Sequence, residues 1–65
     1  MKFEEAYKKM KKEKKKIKLP DWNNIYWYIH NSRVRINNNG KIYNLGDYIN
    51  FSLKYLVRTD WQVIE

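Results

Sequence analysis

Cysteine is absent from the 65-residue chain, histidine and proline occur once each, and there are two glycines. The missing cysteine excludes a disulfide staple, a thiolate zinc site and a Cys nucleophile. Gly40 and Gly46 are too few to build a glycine-rich phosphate loop. His30 has no carboxylate close to it in sequence, so no metal-ligand spacing arises. The acidic residues are scattered, and no two form a pair whose pKa values could be split for general acid–base work. Ser32 and Ser52 fit turn and cap positions. The chain is therefore expected not to be an enzyme and to hold no metal or cofactor. No apolar run approaches the ~20 residues of a membrane span, since the longest uncharged stretch, Trp22 to Ser32, is broken by asparagines. The first lysines lead into more lysines and not into an apolar segment, so no signal peptide is expected and the expected location is the cytoplasm.

What the chain has in quantity is positive charge and aromatic rings. Lys and Arg total 14 against 7 acidic residues, a net charge of +7, and three Trp, six Tyr and two Phe make it 17% aromatic. That much apolar surface argues for a folded chain. A chain this short makes one domain, residues 1–65, and buries only about 60% of the surface its unfolded form exposes, which favours a homo-oligomer. The charge is local. Residues 1–18 hold nine lysines and three glutamates, and eight of the eleven positions from Lys8 to Lys18 are lysine. Such a run is either the solvated face of a helix or a patch that attracts nucleic acid or another polyanion. Eight asparagines accompany it, so a Lys- and Asn-rich genome composition also accounts for part of the run.

Phe3, Ala6, Tyr7 and Met10 recur at the spacing of one helix face, predicting a helix over about Phe3 to Lys15. Glu4 and Glu5 in its first turn and lysines in its last suit the macrodipole. Ile17-Lys18-Leu19 alternates as a short strand until Pro20. Ile25 to His30 and Arg33 to Ile36 alternate cleanly. A two-residue turn at Asn31-Ser32 pairs His30 with Arg33, Ile29 with Val34, Tyr28 with Arg35 and Trp27 with Ile36. That register sorts Trp27, Ile29, Val34 and Ile36 onto a core face, and Tyr26, Tyr28, His30, Arg33 and Arg35 onto the other; a slip of one residue would mix the two sets. Asn37 to Gly40 reads as a turn before a third strand, Lys41 to Asn44, with Ile42 placed beside Ile36 by a three-residue loop. Ser52 is expected to cap a short helix, Leu53 to about Arg58, with Phe51 and Leu56 stapled over the cap. Trp61 to Ile64 is expected as the last strand. The fold class is α+β: an N-terminal helix packed on a small, mainly antiparallel β-sheet, with a short second helix before the last strand.

The face of Tyr26, Tyr28, His30, Arg33 and Arg35 sets rings that can stack on a base beside guanidinium groups that can grip phosphate. The plainer alternative is that these rings pack against the N-terminal helix or another subunit. Trp22 is open to the same two readings, ligand contact or core plug, while Trp61 belongs in the core.

The opening Met1-Lys2-Phe3-Glu4-Glu5-Ala6, the passage into Lys14-Lys15-Lys16-Ile17-Lys18 and the pair Trp22-Asn23 resemble the start of the small phage proteins classed as Thoeris anti-defence protein two, with the pattern F-x-E-A-L…G-K-K-V-x-R-x-x-W-N-G. The ending Phe51-Ser52-Leu53…Leu56-Val57…Thr59-Asp60-Trp61-Gln62-Val63-Ile64-Glu65 resembles the family's closing D-L-L-A-x-D-W-x-V-x-E. The resemblance covers both ends of the chain, and its closing motif is the more specific. It departs where Glu13 or Lys14 replaces the turn glycine, with one extra residue before Ile17, where Asn24 replaces the glycine after Trp-Asn, and in a shorter middle. The resemblance implies a small α+β homo-oligomer that sequesters a cyclic ADP-ribose-type or cyclic oligonucleotide immune signal without cleaving it. Some relatives are named as anti-CRISPR proteins. Trp22 and Asn23 are the matched positions it offers as ligand contacts, and host cytoplasm is the location it implies.

Three functions follow as expectations. The first is an anti-defence protein binding a cyclic nucleotide or other small anion between subunits, through Trp22, Asn23, Tyr26, Tyr28, Arg33, Arg35 and Lys18. The second is a small basic nucleic-acid-binding or nuclease-inhibiting protein. The third is an interaction module using the tyrosine-rich face as its interface.

Overall fold

The structure is a computed structural model describing residues 1–64. It has the expected class: helix α1 (Phe3–Glu13), strand β1 (Lys16–Lys18), β2 (Ile25–His30), β3 (Arg33–Asn38), β4 (Lys41–Asn44), a single 3-10 turn over Leu45–Tyr48, helix α2 (Ile49–Leu56) and β5 (Gln62–Ile64). The strands form one antiparallel sheet in the order β4-β3-β2-β1-β5.

Helix α1 stops at Glu13, two residues earlier than the spacing predicts, because Lys14 turns into the left-handed region at φ 55° and ψ 38°. That reversal lets Lys16 enter the sheet at once, so β1 spans Lys16–Lys18 and Leu19 lies just beyond it, buried. The β2–β3 hairpin has the predicted register at all four pairs. Its turn residues Asn31 and Ser32 both have positive φ, 53° and 62°, the primed turn whose twist matches that of the strands.

The second hairpin corrects the sequence reading. β3 continues to Asn38, and the loop is the two residues Asn39 and Gly40, at φ 54° and 93°. Asn37 Oδ1 accepts the Gly40 N–H at 3.0 Å. Ile36 therefore faces Tyr43, and Ile42 faces Asn37. Ile42 moves to the other face of the sheet and stays exposed.

Helix α2 corrects it as well. The helix starts at Ile49, so Ser52 is an interior residue and not the cap; it is buried at 2% exposure, while Phe51 keeps 66% of its surface and makes no staple. The last strand begins one residue later than expected, at Gln62.

Both helices lie on the Trp27 face. Ala6 and Met10 of α1, Ile17, Leu19, Trp22, Trp27, Leu45 and Trp61 are the buried apolar residues. The three indoles contact one another, with centroids 5.0 to 5.6 Å apart, and Phe3 joins them at 5.3 Å from Trp61. Tyr55 brings α2 onto this cluster edge-on to Trp22 at 5.2 Å, and its carbonyl accepts the Trp61 Nε1–H at 3.2 Å. Aromatic contacts of this kind add about 0.5–1.5 kcal/mol each beyond area burial. Met1 and Trp61 exchange backbone hydrogen bonds of 3.1 and 2.9 Å, which ties residue 1 to the start of β5.

Candidate functional site

With the helices on one side, alternation assigns the other face of the sheet to Lys16 and Lys18 of β1, Tyr26, Tyr28 and His30 of β2, and Arg33, Arg35 and Asn37 of β3. Ile42 and Asn44 of β4 and Gln62 and Ile64 of β5 complete it. Among the described residues, none of the five strands carries an aspartate or glutamate. The centre of the face is two tyrosines, with lysines along one side and arginines along the other.

Tyr26 and Tyr28 are half-buried, with ring centroids 5.8 Å apart and planes at 50°. Lys16 Nζ lies 4.7 Å from the Tyr26 centroid, a cation–π contact that holds an ammonium beside the ring. Arg33 is exposed and Arg35 half-buried. Arg35 Nε and the Asn44 Oδ1 on the facing strand are both buried and without a hydrogen-bond partner. An unmet donor of this kind costs about 1–3 kcal/mol. Past Tyr26 the face ends in a shallow hollow of about 360 Å³ lined by Asn24, Tyr26, Asn37, Asn39 and Gly40. Asn24 N–H and C=O lie at the end of the hairpin, where its carbonyl accepts the Asn39 N–H at 2.9 Å.

Of the residues singled out from sequence, Lys18, Tyr26, Tyr28, Arg33 and Arg35 share this face. Trp22 does not. Its indole is 8% exposed inside the tryptophan cluster on the opposite side of the sheet, so it cannot stack with the tyrosines on one ligand. Asn23 is exposed in the loop between β1 and β2. The tyrosines do not pack on α1, which occupies the other face. Lys16 and Asn37 join the site although the sequence reading left them out; the alternation with Ile17 and with Arg35 carried the signal for both.

Trp22 lines a second feature, a groove of about 300 Å³ between the sheet and α2, with Trp27, Tyr43, Tyr48, Phe51 and Tyr55 supplying further rings. Ser52 and Asn38 are its polar members, and no charged residue lines it. It is at the small end of ligand-sized cavities.

One ion-paired cluster lies away from both. Arg58 donates from Nε to Asp60 Oδ1 at 2.9 Å and from Nη2 to Asp60 Oδ2, and its Nη1 is 3.2 Å from Asp21 Oδ1. The hydrogen bond to Arg58 holds the Asp60 carboxyl below its ordinary range, and that to Asp60 raises the guanidinium. The cluster ties the loop before Trp22 to the loop before Trp61. Among the described residues, no three His, Asp or Glu side chains group as metal ligands, and no helix is long and apolar enough to cross a membrane.

No family model, curated protein or solved structure matches this chain. Its functional reading therefore rests on the sheet face and the groove.

Proposed function

We propose that the chain is a non-enzymatic binding protein whose open sheet face takes single-stranded nucleic acid. The observation that carries this reading is Tyr26 and Tyr28 flanked by Lys16, Lys18, Arg33 and Arg35 on a sheet whose described strands hold no acidic residue. Stacking on a tyrosine is tolerant of base identity and contributes about 1–3 kcal/mol per base, while cations on both sides follow the phosphates. The face is broad and open, a shape that suits an extended strand more than a compact ligand. The asparagine hollow beyond Tyr26 offers amides to a base stacked there.

The second reading is sequestration of a cyclic nucleotide immune signal by a phage anti-defence protein. Two positions support it: Lys14, one of the two residues, with Glu13, that can stand for the resembled family's turn glycine, and Asn24, which stands for its glycine after Trp-Asn, both hold positive φ, 55° and 57°, a conformation that glycine adopts readily. The uncharged groove beside Trp22 would accept a base, with phosphates reaching cations outside it.

Fluorescence anisotropy with labelled single-stranded DNA and RNA, set beside calorimetry with cyclic nucleotides and cyclic ADP-ribose isomers, separates the readings. Single strands are expected to bind, with Tyr28→Ala and Arg35→Ala each weakening binding about fivefold or more, in line with the loss of one stacked base or one charge-assisted contact. Binding of a cyclic nucleotide alone, unaffected by Tyr28→Ala, would replace this reading with the second.

A further inference from the structure

Helix α2 packs Tyr55 and Leu56 on the core but leaves most of its apolar side chains, with that of its C-cap Val57, in solvent. Its one fully buried side chain is Ser52, while Ile49, Leu53 and Val57 keep 42%, 53% and 79% of their surface. These three fall at i, i+4 and i+8, a straight stripe about 12 Å long on one flank. Phe51 at 66% and Tyr48 at 44% extend the exposed apolar area on the other flank. The three stripe side chains together leave on the order of 300 Å² of apolar surface. That reaches the lower end of the ~300–600 Å² range of the largest patch on an ordinary monomer.

We infer that this stripe pairs with the same stripe of a second copy. Charge selects the occupant. The open sheet face and the lysines of α1 repel their own copies, but from Ile42 to Leu53 the only charged residue is Asp47. Lys54, the one lysine of α2, leans away from the stripe, with its Nζ 4.8 Å from the Phe51 centroid and 5.2 Å from that of Tyr55. Arg58, at the end of the helix, is neutralised by Asp21 and Asp60. The stripe is therefore the apolar surface on which two strongly basic chains can meet. Antiparallel pairing about a two-fold axis at Leu53 brings Ile49 of one copy against Val57 of the other, the self-complementary arrangement a two-fold contact requires. Because α2 lies on the Trp27 side of the sheet, the tyrosines at the centre of each cationic face point away from the contact, and Arg33, which lines one hollow with Asp47 and Ile49, sits at its rim.

Sedimentation equilibrium over a concentration series, at low and high salt, tests this. The expected result is a concentration-dependent doubling of mass that strengthens with salt, as screening relieves the repulsion of two +7 chains, and that Leu53→Asp weakens at least tenfold with the circular dichroism spectrum unchanged. With no native cysteine, Leu53→Cys supplies a single thiol at the proposed axis; it is expected to cross-link copies under mild oxidation, whereas Lys8→Cys on α1 is not. This pair of variants decides the matter if Leu53→Asp fails to fold. A chain monomeric at every concentration, with the stripe then belonging to another protein or a lipid surface, would overturn the inference. So would a dimer that salt dissociates, or equal cross-linking of the two cysteine variants.

Discussion

Lys14 sits in a conformation that its side chain disfavours. A residue with a Cβ at φ 55° is strained by about 1–2 kcal/mol relative to the right-handed region, and glycine is not. Part of that gain is offset by the larger entropy glycine has in the unfolded chain. Lys14→Gly is therefore expected to raise the unfolding free energy by about 0.5–1 kcal/mol, read as an increase in the urea midpoint with the slope unchanged. A lowered midpoint would mean that the Lys14 side chain contributes more than its backbone costs. The same residue shows what was hidden in the sequence. Lysines on both sides of it obscure the helix end, and only the backbone conformation marks it. Ser52 misled for a related reason. A serine before an apolar run reads as a cap, but it is buried here because the helix begins three residues earlier.

Elements in this chain are joined by loops that the Arg58 cluster holds together. Asp60 keeps its proton less readily in the folded chain than in the unfolded one, because its carboxylate accepts the guanidinium hydrogen bonds. A lowered folded pKa contributes stability that is fully present above the unfolded value of about 3.9 and is lost as the pH falls through the folded value. The wild type is thus expected to lose thermal stability on acidification below about pH 4 more steeply than Asp60→Asn. Near neutral pH the variant should melt lower. Parallel acid profiles for the two proteins would show that the pairing is too solvated to matter. At this scale the β2–β3 hairpin was fully legible, because only one register sorts its residues into two faces. The β3–β4 hairpin was not, since three asparagines in a row allow the turn to start at several positions. The primed geometry at Asn39-Gly40 picked one of them, and that choice moved Ile42 off the core face.

The sheet keeps its cation-flanked tyrosines apart from the apolar groove. Four cations border the tyrosines on one side of the sheet, and the groove and the α2 stripe lie on the other. If a single strand lies across the four, its log affinity should fall with log salt at a slope of about −3, since each neutralised phosphate contributes roughly −0.7 for single strands. Arg35→Ala should then flatten the slope by about 0.7, and Leu53→Asp should leave it unchanged. A slope near zero would point away from the sheet face and towards a ligand held in the uncharged groove.

Much of this arrangement follows from local pattern. Alternation in Ile25–His30 and Arg33–Ile36, and the helical spacing of Phe3, Ala6, Tyr7 and Met10, determine by themselves the β2–β3 register, the α+β class and that Tyr28, His30 and Arg33 share a face with Tyr26 and Arg35. These are short-range consequences of the periods of strand and helix. Tertiary packing decided the rest. Trp22 had the same claim to core and ligand until Trp27, Trp61 and Tyr55 closed around it, and Ser52 read as a cap until α2 turned it inward and left Ile49, Leu53 and Val57 exposed. Which face of a short helix is covered depends on what the sheet places opposite it, and no local pattern carries that information.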